Sequence, residues 1–154
     1  GKRGDACGIV AAGLEEGGIV YVIADETVAG ATPALWAAKA IALWRRCEAD
    51  ALVAEVNQGG DMVKSVIAEV DAAVPVIPVR ATRGKWLRAE PVATLYEQGR
   101  VRHAGSFAAL EDEMCDFALS GLSSGRSPDR LDALVWAVTS LALAPRAQPR
   151  VREL

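Results

Sequence analysis

An α/β fold built on a mixed sheet, with helices on both faces, follows from three features of the sequence. Residues 7–14 (CGIVAAGL) and 19–24 (IVYVIA) are apolar runs joined by Glu15-Glu16-Gly17-Gly18, so they pair antiparallel as a hairpin. Further on, short apolar runs at 51–56, 74–79 and 101–104 alternate with stretches of helical periodicity, the signature of crossovers between strands. A chain of 154 residues, 51% hydrophobic and 24% charged, is long enough for one domain with a sizeable core. Residues 1–144 are assigned to that domain. Residues 145–154 (PRAQPRVREL) are expected to form a flexible basic tail.

The elements follow in order. The opening Gly1-Lys2-Arg3-Gly4-Asp5 has neither Met nor cap and reads as cut from something longer. After the hairpin, 25–31 reads as a loop. Thr32-Pro33 is an N-cap followed by Pro at the first helical position. The helix it starts runs to about 48, with Trp36, Ala40, Ile41, Trp44 and Cys47 on a core stripe. The run 51–56 (ALVAEV) is short enough for a buried strand and is followed by Gly59-Gly60. Met62, Val63, Val66, Ile67 and Val70 then recur at helical spacing, to about 73. In 74–79, Pro75 and Pro78 favour an edge strand or an early end. Residues 82–87 read as a basic loop. The next helix turns Val92, Leu95 and Tyr96 inward, has Pro91 near its start and ends at Gly99. After the strand 101–104, Phe107, Leu110, Met114 and Phe117 mark an amphipathic helix. Its acids Glu111, Asp112, Glu113 and Asp116 read as a solvated face. A Ser/Gly loop at 120–127 precedes Pro128 and a last helix at 129–143.

Composition removes several function classes. No apolar run approaches the roughly 20 residues that span a bilayer, and no signal-peptide pattern is present. Cys7, Cys47 and Cys115 are far apart with no Cys-x-x-Cys, which points to reduced, mostly packed thiols in a cytoplasmic setting rather than a zinc site. His103 is the only histidine, so a metal here would be hard and oxygen-bound, Mg²⁺ or Mn²⁺. No G-x-x-x-x-G-K-[ST] loop occurs, so ATP hydrolysis is not expected of this chain. The net charge of −3 does not advertise nucleic-acid binding. Between Arg80 and Arg102, however, six basic residues (Arg80, Arg83, Lys85, Arg88, Arg100, Arg102) face only Glu90 and Glu97. Such a patch suits phosphate, although a solvated charged face is the commoner meaning of a charge run.

Glu55 stands where a buried strand would carry Val or Ile. Two readings stay open at this point. Either the carboxylate is buried and needs a cation or a proton beside it, or it ends the strand and touches solvent. Asp129 and Asp132, three apart, project from one side of the first turn of the last helix. Acids in a first turn are ordinary there because they suit the helix dipole. Asp132, however, leads into Ala133, Leu134, Trp136 and Ala137, so its carboxylate is expected to face a cleft. Two-metal phosphodiester cleavage needs carboxylates from separate elements converging on ions about 4 Å apart, and Asp5, Glu55, Asp129 and Asp132 are the candidates.

The blocks GDACGIVAAG, VAEVNQGGDMV, GKWLRAEPVATLYEQGRV and SPDRLDALVWA together resemble the C-terminal nuclease domain of the large terminase subunit of tailed bacteriophages. The likeness is strongest to the prophage and gene-transfer-agent type, and it covers about residues 5–143. The resemblance implies a ribonuclease H-like fold and a Mg²⁺- or Mn²⁺-dependent DNA endonuclease holding two ions, which cuts concatemeric double-stranded DNA. Glu55 matches the central catalytic acid, Asp132 the carboxy-terminal acid of the D-x-x-D-A pattern, Asp129 its companion and Asp5 an auxiliary acid. Arg80, Arg83, Lys85 and Arg88 would then hold DNA phosphates. The family's first catalytic aspartate stands on a strand about ten residues before the Asp5 equivalent. This sequence starts after it, so an incomplete metal set and weak cleavage by this chain alone are expected. Implied partners are double-stranded DNA, the N-terminal ATPase domain of the same subunit, the portal protein and the small terminase subunit. The implied location is the host cytoplasm at the procapsid portal, with no membrane. The alternatives are a non-catalytic DNA- or portal-docking module of the same fold and a Holliday-junction resolvase-like nuclease. A small-molecule domain with Gly59-Gly60 cradling a phosphate would leave Asp129 and Asp132 unexplained.

Overall fold

The hairpin is where the chain commits to its sheet. In the computed structural model, which describes residues 6–56, 61–120 and 128–143, the turn closes with Gly18 N–H donating to the Glu15 carbonyl at 2.9 Å. Gly18 has φ +88°, which only glycine adopts without strain. Strand β2 (Val10–Leu14) pairs antiparallel with β3 (Val20–Asp25), with an irregularity between Ala11 and Ala12. The ladder then resumes as β1 (Ala6–Cys7) against β4 (Val28–Ala29).

The single strand expected at 7–14 is therefore two, and the loop expected at 25–31 contains β4. The cause is local hydrogen bonding. Asp25 accepts from the Thr27 amide at 3.1 Å and hydroxyl at 2.6 Å, and the Thr27 hydroxyl oxygen accepts the Ile9 N–H at 3.1 Å. Side-chain oxygens thus replace a ladder carbonyl for one step.

Helix α1 (Pro33–Arg46) starts as its sequence signals imply, with Thr32 Oγ1 accepting the Leu35 N–H at 3.3 Å. Strands β5 (Leu52–Glu55) and β6 (Val76–Val79) are parallel, joined through α2 (Asp61–Val70). Pro78 lies opposite Ala54, and among the described residues β6 pairs only with β5, which suits a residue that cannot donate to a ladder. Strand β7 (Val101–His103) is parallel to β3.

Helix α3 (Lys85–Glu97) begins earlier than expected: Lys85, Trp86 and Leu87 are helical rather than a basic loop, and Pro91 sits inside the helix. Tertiary contacts carry the first turns across the proline. Trp86 stacks at 5.3 Å on Phe117 and donates to Glu90 at 3.1 Å, while Lys85 and Arg88 reach acids described below. The helix stops at Gly99 (φ +69°), whose N–H donates to the Tyr96 carbonyl while that of Arg100 donates to Leu95. This is the paired bond pattern of a glycine-terminated helix.

Helices α4 (Ala108–Ser120) and α5 (Asp129–Val138), the latter continued by a π-helical turn (Thr139–Leu143), complete the described chain. Alternate residues along 9–12, at the start of β2, face opposite layers. Val10 and Ala12 pack into the core of Val20, Val22, Leu95, Leu110, Leu134 and Val138. Ile9 and Ala11 pack instead with Ala40 and Leu43 of α1. Helices therefore cover both faces, as the period-2 pattern requires. Helix α5 touches β1, β2, β3 and β5, which places its first turn beside the end of β5.

Candidate functional site at the end of β5 and the start of α5

The strand ends at Glu55, and its side chain is 37% exposed. Of the two readings the sequence leaves open for this residue, the structure shows the second. The residue closes the strand and meets solvent, yet it is partnered. Its Oε2 accepts the Trp136 indole N–H at 3.2 Å, and its Oε1 lies 3.9 Å from Arg88 Nη1. Asp132, 17% exposed, faces Lys85 Nζ at 2.9 Å and Arg88 Nη2 at 3.4 Å.

One guanidinium therefore stands between the two acids. Its two terminal nitrogens belong to one small planar group, so the facing carboxylate oxygens lie within about 10 Å of each other. Arg88 is 10% exposed and its carbon lies 5.1 Å from the centroid of the Trp136 ring. It also donates to the Arg83 carbonyl at 3.3 Å, while its buried Nε has no hydrogen-bond partner. Trp136 follows Asp132 by four residues and so shares its helix face. That spacing was the available signal for a residue that apolar patterning alone assigns to the core.

Asp129 opens α5 one turn earlier, and its negative charge reaches β1. Burial first, and Asp129 second, push the Cys7 thiol above its ordinary value. Gly8 explains how the elements come so close, since a Cβ there would lie 2.1 Å from the Asp129 carbonyl oxygen. Asp5 lies outside the described residues, as do 57–60, 121–127 and the tail from 144 on. Among the described residues, no group of three or more His, Cys, Asp or Glu is gathered as a metal cage.

The basic segment divides. Lys85 and Arg88 are turned to the acids, whereas Arg80 and Arg83 are exposed, with no side-chain ion pair among the described residues. Two acids expected on a solvated face have definite work. Glu113 accepts the Arg130 and Leu131 amides at the start of α5, at 3.1 and 3.4 Å. Glu111 reaches back to the Phe107 N–H at 2.8 Å and to His103 Nδ1 at 3.4 Å. Cys7 and Cys47 pack at the edge of the α1 cluster, but Cys115 is exposed rather than packed.

The only histidine lies in this second cluster, with Tyr96 Oη 2.7 Å from His103 Nε2. Burial, and then the Glu111 charge, push the Tyr96 phenol above its ordinary value. The Phe107 amide, followed by His103, holds the Glu111 carboxyl below the usual carboxylate range. A carboxyl lowered on folding contributes stability that is present above its unfolded value, about 4.3, and lost as pH falls through the lower folded value. Glu111→Gln is therefore expected to lower the urea midpoint at pH 7, with the gap to wild type closing as pH falls below the unfolded value. A gap that stays constant with pH would assign Glu111 no charge-dependent role.

With this geometry, the family follows from comparison. The chain belongs to the terminase RNaseH-like domain family, whose model matches residues 1–141. The crystal structure of the large terminase nuclease from thermophilic phage G20c superposes with a TM-score of 0.64 at 19% identity, covering 89% of this chain and 83% of that one. At that identity the likeness shows the fold, a ribonuclease H-like mixed α/β architecture. No curated protein matches the sequence. No helix among the described residues is long and apolar enough to cross a membrane.

Proposed function

We propose that residues 1–144 are the metal-dependent endonuclease domain of a DNA-packaging terminase large subunit, which cuts concatemeric double-stranded DNA. The observation that carries this reading is the convergence of Glu55, from the end of β5, and Asp132, from the first turn of α5, on one guanidinium. Their donors are all carboxylate oxygens, the chemistry that hard Mg²⁺ or Mn²⁺ ions take, and Asp129 stands one turn away. Glu55 and Asp132 are the residues that would hold the metal, with Asp129 and Asp5 as further candidates. A bound pair of divalent ions supplies activation of the attacking water and charge stabilisation at the leaving oxygen. Trp136 orients the Glu55 carboxylate through its indole N–H, while Lys85 and Arg88 balance the negative charge of the acids. Partners consistent with this role are the ATPase domain of the same subunit, the portal protein and the small subunit.

The test is plasmid nicking in Mn²⁺ by this chain and by the chain with an upstream extension, each with and without Glu55→Ala. Expected is cleavage that the extension strengthens and Glu55→Ala removes. Cleavage indifferent to Glu55, or none in any version, overturns the reading. The second outcome would favour a docking module of the same fold. That alternative is supported by the pairing of both acids with cations and by the lack of a three-acid group among the described residues.

Of the four candidate phosphate-binding residues, Arg80 and Arg83 are those not paired with an acid among the described residues, and phosphate contacts give position without sequence information. Replacing both by Ala is expected to weaken binding alike for all sequences. The slope of log affinity against log salt should fall by about one for each phosphate that is no longer neutralised. An unchanged slope would return them to a solvated face.

A further inference from the structure

We infer that Asp25, Arg130 and Glu113 form a positioning clamp that sets the first turn of α5, and with it the face that carries Asp129 and Asp132. In its metal-binding consequence the inference rests on the function proposed above.

The N-cap of α5 is Pro128, which has no side-chain group to offer the orphan amides that begin the helix. Glu113 supplies one from another helix, its Oε1 accepting the amides of Arg130 and Leu131. Its Oε2 accepts from Arg130 Nη1 at 2.9 Å, so a single carboxylate holds both the backbone and the side chain of the same residue. The other side of the guanidinium is taken by β3, with Arg130 Nε donating to Asp25 Oδ2 at 3.1 Å. Asp25 is itself fixed, its other oxygen binding Thr27, whose hydroxyl oxygen accepts the Ile9 N–H. An unbroken path of hydrogen bonds thus runs from the junction of β1 and β2, through β3 and α4, to the start of α5.

These groups are withdrawn from water, with side-chain exposures of 10% for Asp25, 20% for Glu113 and 30% for Arg130. Exposed ion pairs contribute little, but a charge-assisted set that also caps a helix fixes geometry. Helical spacing adds a reason for the arrangement. Positions 129 and 132 share one side of α5, while position 130 is turned by about 100° from the first and farther from the second. The clamp therefore grips α5 from beside and behind the acids rather than through the face that carries them. Residues that hydrogen-bond metal ligands directly typically change metal affinity 10- to 100-fold when removed, and a clamp that acts through the helix backbone is expected at the low end of that range.

The experiment measures two things in Arg130→Ala, Arg130→Lys, Glu113→Gln and Asp25→Asn, each well below its unfolding midpoint. One is Mn²⁺ affinity by calorimetry, and the other is amide hydrogen exchange at residues 130 and 131. Expected for Arg130→Ala are a roughly tenfold weaker Mn²⁺ affinity and faster exchange at both amides. Arg130→Lys should recover part of each. A general loss of stability would not reproduce this, because the affinity is measured on folded protein. Mn²⁺ affinity within twofold of wild type in Arg130→Ala overturns the inference. If Arg130→Ala does not fold, the same criterion applies to Glu113→Gln and Asp25→Asn. If wild type binds no Mn²⁺, the metal reading fails by itself. The exchange rates then decide the clamp: faster in the variants upholds it, unchanged overturns it.

Discussion

Asp132→Ala is expected to destabilise the fold by about 3 kcal/mol, the low end of the cost of breaking a buried ion pair, because both charges are largely but not wholly withdrawn from water. The effect follows from what the carboxylate holds: Lys85 Nζ at 2.9 Å and Arg88 Nη2 at 3.4 Å, the latter on a side chain only 10% exposed. Arg88 would keep Glu55 at 3.9 Å, a poorer partner because that acid is 37% exposed and screened. Asp132→Asn retains the shape and one acceptor oxygen and should cost less. Arg88 and Asp132 touch, so Arg88→Ala combined with Asp132→Ala should be less damaging than the two separate effects added together. Urea unfolding of the four proteins measures this, and strict additivity would show that the pair is not coupled. The catalytic expectation is separate. Under the proposed function, Asp132→Asn lowers Mn²⁺-dependent nicking about a thousandfold, equivalent to ~4 kcal/mol of barrier. Near-wild-type nicking by folded Asp132→Asn would remove Asp132 from the chemistry.

Gly8→Ala is expected to be nearly as severe although it adds a single methyl group. The new Cβ would stand 2.1 Å from the Asp129 carbonyl oxygen, 2.7 Å from its carbon and 3.2 Å from the Ala133 Cβ. Two of these are backbone atoms of a helix pinned by Glu113 and Arg130, so they cannot swing aside as a flexible side chain would. Overpacking of this kind costs about 1–3 kcal/mol, at the upper end when the surroundings cannot give. The relaxation that does occur should displace the first turn of α5. Gly18→Ala is the control, having open space around it but a φ of +88°, and strain there should cost only about 1–2 kcal/mol. Thermal unfolding of both variants compares the two causes. A Gly8→Ala destabilisation no larger than that of Gly18→Ala would mean that α5 is held loosely against β1 and β2.

What the sequence by itself determined is what short stretches of chain encode. The hairpin follows from two apolar runs and a Gly-Gly turn, and the start of α1 follows from Thr32-Pro33. The end of α3 follows from Gly99, and the alternation along 9–12 follows from the period of a strand. The acids were legible as candidates, Glu55 because a carboxylate interrupts an apolar strand and Asp132 because it leads directly into an apolar helix. Their partners were not legible. Arg88 meets Asp132 across 44 positions, Trp136 meets Glu55 across 81 and Arg130 meets Asp25 across 105. No propensity or period reaches so far. Only the packing of α5 across the sheet decided that Lys85 and Arg88 face carboxylates rather than solvent, and that Glu113 caps a helix it does not belong to. The early start of α3 has the same origin, since a proline and a run of basic residues argue locally for a loop. The packing of Trp86, Lys85 and Arg88 against α4 and α5 outweighs that preference once the chain has folded.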